Sequence, residues 1–200
     1  AAYVTFGEVA GGTDVETDAD LKARIIERYS NPVALFNTSA IETQCKRVAG
    51  VTRVFVQEIT PYVGAVTVYF TRDNDSDIMP SASEVTAVKN KLLEIKPAHI
   101  DDTDIVVAAP TAVPVDFTFT ALSPNTATMK SAIEASLEVL FDETTSVGVD
   151  LPSEAYISAI YQTINTTTGE KVASFTLSAP SGDVSISAGE IPTIGTITYS

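Results

Sequence analysis

The sequence TRVFVQEITPYVGAVTVYFT, residues 52–71, decides the fold of this chain. Its two halves are rich in Val, Phe, Tyr and Thr, a composition typical of half-buried strands. Between them, residues 60–64 read Thr-Pro-Tyr-Val-Gly and carry the proline and glycine of a chain reversal. The pattern therefore predicts two paired strands, residues 52–59 and 65–71.

Helical patterns flank this hairpin on both sides. Residues 81–96 begin with Ser81, and Glu84 follows three positions later, which is the spacing of a capping box. Another helix is predicted from residue 38 or 39 to about 48, and a third strand is predicted at residues 104–109. The apolar stripe of the 81–96 helix consists of Val85, Val88, Leu92 and Ile95.

The rest of the chain carries a second set of patterns. Apolar and polar residues alternate over 115–120, which predicts a strand. Helices are predicted at 126–141 and from 152 to 164, followed by strands at 172–177 and 193–199. The residues expected on the inner faces of the two helices are Met129, Ile133, Leu137 and Leu140, then Ile157, Ile160, Tyr161 and Ile164.

These patterns predict an α+β fold with two small subdomains, each with two helices packed on a short, mostly antiparallel sheet. Pro110 and Pro114 bracket the expected joint. Residues 1–36 are interpreted as a strand and a helix left from a preceding domain, 37–110 as the first subdomain and 111–200 as the second. An arrangement in which both subdomains share one continuous sheet stays open.

Charge and composition exclude several classes of protein. The 200 residues are 44% hydrophobic and 19% charged, as in ordinary globular proteins. The net charge of −14, with only 12 scattered Lys and Arg residues, argues against a nucleic-acid partner and against anionic membranes. No apolar run approaches the roughly 18 residues of a membrane-spanning helix, so membrane insertion is not expected. One cysteine excludes an internal disulfide framework.

The chain starts with Ala-Ala-Tyr-Val and not with Met. This start also lacks the basic region and the following apolar region of a signal peptide. We therefore expect the chain to begin within a longer protein.

Four carboxylates alternate with other residues between positions 14 and 20, directly before a helical pattern. Acidic residues favour the positive end of a helix, so this run is interpreted as a helix start and not as a catalytic pair.

The loop Asp73-Asn74-Asp75-Ser76-Asp77 offers the sharpest candidate for a metal site. Counted from Asp73, carboxylates stand at positions 1, 3 and 5, and Glu84 stands at position 12, as in a calcium loop. However, Ile78 occupies the position that needs glycine, and Glu84 already has a role in the capping box. The loop is interpreted as an acidic solvated turn. The only candidate metal ligands are Asp73, Asp75, Asp77 and Glu84.

No catalytic or cofactor-binding residue is predicted, and the chain is expected not to be an enzyme. His99 is the one histidine, and no Gly-x-Ser-x-Gly elbow accompanies it. Cys45 lies on an apolar helical stripe, where a thiol usually serves as a small hydrophobic group. Phosphate-binding glycine loops are absent from the sequence.

Residues 163–200 are poor in charge and include a candidate short strand at 184–187, so they could offer a strand edge to a neighbour.

Several segments, taken in order, resemble the baseplate J-like proteins, which build the baseplate wedges of contractile phage tails and related injection machines. They are residues 11–25, 48–51, 64–70, 73–80 and 189–192. The resemblance covers nearly the whole chain and corresponds to roughly the C-terminal two-thirds of the family.

The resemblance implies a structural subunit that needs no cofactor. Its implied partners are other baseplate wedge and hub proteins, and copies of the subunit would associate in a ring around the tail tube. It would transmit the baseplate rearrangement that triggers sheath contraction. Its implied location is the virion tail baseplate, after synthesis in the host bacterial cytoplasm. Two alternatives stay open: a tail-associated cell-wall hydrolase and a calcium-dependent adhesive module.

Overall fold

The computed structural model describes residues 36–200, together with 17–19, 21, 22, 25 and 26. The six described residues between 18 and 26 are helical, and Leu21 donates its backbone N–H to the Thr17 carbonyl at 2.9 Å. The predicted N-terminal strand lies outside the described residues, as do all carboxylates of the 14–20 run except Asp18.

The first unit contains two helices and a three-stranded sheet. Its elements are α1 (Thr38–Cys45), β1 (Arg53–Glu58), β2 (Val66–Thr71), α2 (Ala82–Leu93) and β3 (Ile105–Ala108). The strands lie in the order β1-β2-β3, with β1 antiparallel and β3 parallel to β2. The predicted hairpin is therefore confirmed, and α2 makes the crossover that a parallel pair requires.

Local polar contacts fix where these helices begin, and apolar residues hold them to the sheet. The Asn37 side chain accepts the Ala40 N–H at 2.8 Å, and Glu84 accepts the Ser81 N–H at 2.7 Å in the predicted capping box. The buried core of the unit consists of Ile41, Cys45, Val68, Phe70, Val88, Leu92, Ile105 and Val107.

The second unit also contains two helices and a three-stranded sheet, but the elements follow one another in a different order. Its elements are β4 (Thr111–Ser123), α3 (Ala127–Thr144), α4 (Ser153–Gln162), β5 (Ser174–Ala179) and β6 (Glu190–Tyr199). The sheet has the order β5-β4-β6, with β5 antiparallel and β6 parallel to β4. The α+β class is thus confirmed. In each sheet one of the two pairs is antiparallel, and the two sheets are separate.

The joint between the units is shorter than expected, because β4 begins at Thr111. Pro114 lies inside β4, opposite Thr193 of β6, and does not mark a linker. A proline is tolerated there because β5 pairs with β4 only from Thr118 onward, so one side of the strand needs no donor at Pro114. Only Ala109 and Pro110 lie between the last strand of the first unit and β4.

The inner face of α4 differs from the expected one. Tyr156 and Ile160 are buried, whereas Ile157, Tyr161 and Ile164 are exposed, and Ile164 lies beyond the end of the helix. The Tyr156 ring can be buried because its hydroxyl donates to the Gly182 carbonyl at 3.0 Å.

Two smaller expectations for the second unit also need correction. In α3, Phe141 is buried where Leu140 was expected, and Leu140 is only partly buried. The predicted strand at 184–187 is reduced to a single bridge between Leu151 and Val184. The buried core of the second unit otherwise includes the predicted Met129, Ile133 and Leu137.

Candidate functional site

The first carboxylate of the acidic loop belongs to an ion pair. Asp73 accepts hydrogen bonds from Arg53 Nη2 at 2.8 Å and from Arg53 Nε at 2.9 Å, which is a bidentate pair. Thr52 Oγ1 also donates to Asp73 at 2.6 Å. Burial acts to raise the pKa of Asp73, but the hydrogen bonds from Arg53 and Thr52 outweigh it, so the pKa lies below its usual value.

The second arginine binds two of the other candidate ligands. Arg72 Nε lies 2.5 Å from an Asp75 carboxylate oxygen and 3.0 Å from Glu84 Oε1, and Arg72 Nη1 donates to the Ala49 carbonyl at 2.8 Å. The backbone N–H and hydroxyl of Ser81 lower the pKa of Glu84, with a further contribution from Arg72. The sequence pattern did not reveal this role of Arg72.

The last candidate, Asp77, accepts the backbone N–H of Met79 at 3.0 Å, a local turn contact. The four carboxylates therefore serve three separate interactions: Asp73 with Arg53, Asp75 and Glu84 with Arg72, and Asp77 with its own backbone. Within the described residues, no group of three or more His, Cys, Asp or Glu side chains is arranged to hold a metal ion.

Arg53 also connects the two units. Its Nη1 donates to the Phe141 carbonyl at 3.1 Å and to Thr145 Oγ1 at 3.0 Å, at the C-terminal end of α3. A helix end leaves carbonyl groups without partners and carries partial negative charge, so a cation is stabilised there. We name Thr52, Arg53, Asp73, Phe141 and Thr145 the Arg53 junction. It links the first sheet to the longest helix of the second unit.

Two glycines bring further parts of the units together. At Gly148, a Cβ would lie 3.5 Å from the Gln57 amide nitrogen, and at Gly189 it would lie 3.1 Å from the Tyr69 hydroxyl oxygen. Both glycines have positive φ, 73° and 82° respectively. The turn at Gly148 therefore contacts β1, and the turn at Gly189 approaches β2 closely.

The remaining reactive side chains do not form a catalytic pair. His99 is exposed in the loop after α2, whereas Cys45 is fully buried in the first core. Burial, followed by the nearby charge of Glu42, raises the pKa of the Cys45 thiol to about 12. The thiol is therefore protonated at neutral pH and is a packing group.

Two grooves on the second unit lack acid–base groups of the kind a glycosidase needs. The larger, about 730 Å³, lies between α3, α4 and residues 164–167 and is lined by small, hydroxyl, amide and aliphatic side chains. The smaller, about 410 Å³, lies between α4 and β5, and Tyr156 and Tyr161 are the only titratable residues in its lining. Neither groove contains a carboxylate or a histidine among its lining residues.

Family profiles match both units. Residues 37–110 match the Baseplate J-like central domain, and residues 113–200 match the Baseplate J-like protein C-terminal domain. The chain belongs to the Baseplate J-like family. In the part of the chain that the structure describes, no helix is long and apolar enough to cross a membrane.

Three individual proteins are related to the chain in sequence. The chain is 30% identical over 201 residues to the Mu-like prophage FluMu protein gp47 of Haemophilus influenzae, covering 96% of this chain and 54% of that protein. It is 28% identical to the baseplate protein gp47 of Escherichia phage Mu, covering 78% of this chain and 45% of that protein. The putative protein JayE of Escherichia coli K12 is also 28% identical, with 96% and 69% covered. The chain thus spans about half the length of the first two relatives.

A solved structure shares the fold. A chain of the anti-feeding prophage baseplate, determined by cryo-electron microscopy, superposes with a TM-score of 0.61 over 90% of this chain and 42% of that chain. The sequence identity is only 11%, so this likeness concerns the fold alone.

Proposed function

We propose that the chain is part of a structural subunit of the tail baseplate of a contractile phage or phage-like particle. The observation that carries this proposal is the match of both successive units to the central and C-terminal Baseplate J-like domains. The names of the phage Mu and prophage relatives support the same function. The subunit would be made in the host bacterial cytoplasm and would reside in the virion.

The partners in this proposal are other wedge and hub proteins, with copies of the subunit closing a ring around the tail tube. The Arg53 junction gives the proposal a mechanical basis. Because Arg53 binds both Asp73 and the end of α3, a displacement applied to one unit is passed to the other through polar contacts of fixed geometry. A subunit that transmits baseplate rearrangement needs such a connection between its parts.

We further propose residues 37–110 and 111–200 as the two structural units, following 1–36 as the end of a preceding domain. In this proposal Asp73, Asp75 and Glu84 anchor two arginines, Asp77 closes a turn, and none of the four binds a metal. No catalytic residue and no cofactor is assigned. The separate hydrogen bonds of the four carboxylates support this assignment.

The test is deletion of the gene from its phage or prophage, with complementation by the full-length protein. We expect electron microscopy to show that deletion abolishes tails with a baseplate and that the wild-type gene restores them. An Arg53→Met variant at wild-type abundance should restore fewer contracting tails, whereas Arg47→Met should restore them fully. Normal, contractile tails in the deletion strain would contradict the proposed function.

A further inference from the structure

The turn between β1 and β2 exposes three large apolar side chains close together in the sequence. Within residues 59–64, which we name the β1–β2 tip, Val63 is 86% exposed, Ile59 64% and Tyr62 52%. Single exposed apolar residues are common on protein surfaces, but a contiguous group of them usually marks an interaction site.

Two hydrogen bonds constrain the backbone of the tip. Ala65 donates its N–H to the Tyr62 carbonyl at 3.0 Å, and Thr67 Oγ1 donates to the Thr60 carbonyl at 2.8 Å. Ile59 has φ of 63°, in the left-handed region that a β-branched residue rarely occupies. Residues in such sparsely populated backbone regions cluster at binding sites. A fixed tip loses little conformational entropy when it binds.

The charged residues that contact the tip or directly adjoin it in sequence are acidic, whereas Lys96 on the neighbouring loop is paired with Asp102. Tyr62 donates its hydroxyl to Asp104 at 2.6 Å, and this hydrogen bond, with the charges of Asp104 and Asp101, raises the pKa of the phenol. Glu58 directly precedes the tip, and residues 54–66 contain no Lys or Arg. The apolar group therefore has a negative rim, which opposes insertion into an anionic membrane.

This charge pattern also disfavours a second copy of the chain as the partner. The chain has 26 acidic and only 12 basic residues. Its larger groove has no Lys or Arg among its lining residues, so it offers no basic partner for Glu58 or Asp104. Like charges across an interface are repulsive, so a copy offers a poor site for the tip.

We infer that the β1–β2 tip docks into an apolar pocket, rimmed by Lys or Arg, on a different protein of the particle. Burial of Ile59 and Val63 supplies the attraction, and the basic rim opposite Glu58 and Asp104 sets the orientation. This inference rests on the proposed function, because it places the partner in the same particle. It goes beyond that function by naming the contact surface and the chemistry of its partner.

Site-specific photocrosslinking tests this inference. A benzophenone amino acid replaces Val63 in the full-length protein, particles are assembled in the producing cell, and crosslinked peptides are identified by mass spectrometry. Val149, a 54% exposed valine of the second unit, is the matched control position. We expect position 63 to crosslink to an apolar peptide of a different particle protein, with Lys or Arg nearby, at a markedly higher yield than position 149.

Several results would contradict this inference. Yields equal to those at position 149, or crosslinks mainly to a second copy or to lipid, would overturn the inference. A Val63→Asp variant should enter particles about tenfold less than wild type, whereas Val149→Asp should enter normally. If the wild-type protein is absent from particles, the proposed function itself fails. If wild type and Val63→Asp are equally abundant there, only the role of the tip fails.

Discussion

Arg53 and Asp73 form a bidentate ion pair, with Nη2 and Nε of the guanidinium 2.8 and 2.9 Å from the two carboxylate oxygens. The third nitrogen of the same group binds the end of α3 in the other unit. One side chain therefore serves the acidic loop and the connection between the units. The loop that resembles a calcium site by spacing is, in three dimensions, the anchor of this connection.

Replacing Arg53 with Met should destabilise the protein by about 2–4 kcal/mol, because the mostly buried Asp73 loses its cationic partner and the Phe141 carbonyl loses one of its two donors. Urea unfolding followed by circular dichroism measures this change. The double variant Arg53→Met with Asp73→Asn should recover part of the loss, since no buried charge is then left unpaired. Arg47→Met, at an exposed arginine, should change stability by less than about 0.5 kcal/mol.

Asp73 should contribute to stability only while it is ionised. Its pKa is lowered in the folded protein, so its contribution is present above the unfolded pKa of about 3.9 and is lost as pH falls through the folded value. The free energies of unfolding of wild type and Asp73→Asn should therefore differ most near pH 7 and converge below about pH 4. A difference that stays constant across this range would show that the charge of Asp73 is not involved.

Gly189→Ala should destabilise the protein by about 1–2 kcal/mol. The residue has φ of 82°, and a Cβ there would lie 3.1 Å from the Tyr69 hydroxyl oxygen. Gly182 is the matched control, since it has no positive φ and a Cβ would meet nothing within 4 Å. Thermal unfolding of the two alanine variants compares them directly, and equal melting temperatures would contradict the close approach of the turn to β2.

Two isoleucines of one helix test the orientation of α4. Ile160 is fully buried and Ile157 is 37% exposed. Ile160→Ala should therefore lose about 2–5 kcal/mol of stability, and Ile157→Ala less than about 1 kcal/mol. Chemical denaturation measures both values. A larger loss for Ile157→Ala would mean that the helix presents the face expected from the sequence.

Calcium should neither bind the acidic loop nor stabilise the protein. Asp73, Asp75 and Glu84 already bind arginines, and a cation would have to displace those positive charges. Isothermal titration calorimetry with millimolar calcium should give no binding heat, and the melting temperature should not change. Binding that Asp75→Asn abolishes would revive the adhesive alternative.

Local patterns predicted the fold well where local interactions decide it. The hairpin at 52–71 and the capped helix α2 follow from alternation, turn residues and the Ser81–Glu84 spacing. The face of α4 was predicted wrongly because Ile157, Tyr161 and Ile164 are apolar at nearly helical spacing. Tyr156 is buried instead because its ring packs edge-on against Phe117 in the second core, while its hydroxyl donates to Gly182, 26 residues away in the sequence.

The Arg53 junction could not be derived from sequence, because its partners lie 20 to 92 positions from Arg53. The one available signal was an arginine at the start of a strand whose next three residues, 54–56, are apolar. The spacing of the carboxylates in the 73–77 loop suggested a metal site. Spacing alone does not show which side chains from other elements already bind those carboxylates. Arg53 of β1 and Arg72, directly after β2, give Asp73 and Asp75 their partners.

The most direct test of the baseplate function is the position of the protein in the particle. A peptide tag on the full-length protein, labelled with gold-conjugated antibody, can be located in intact and contracted particles by cryo-electron microscopy. The account predicts several labels around the end of the tail tube in both states, with the fold described here fitting the density at that position. Label on the capsid or tail shaft only, or none in purified particles, would contradict it.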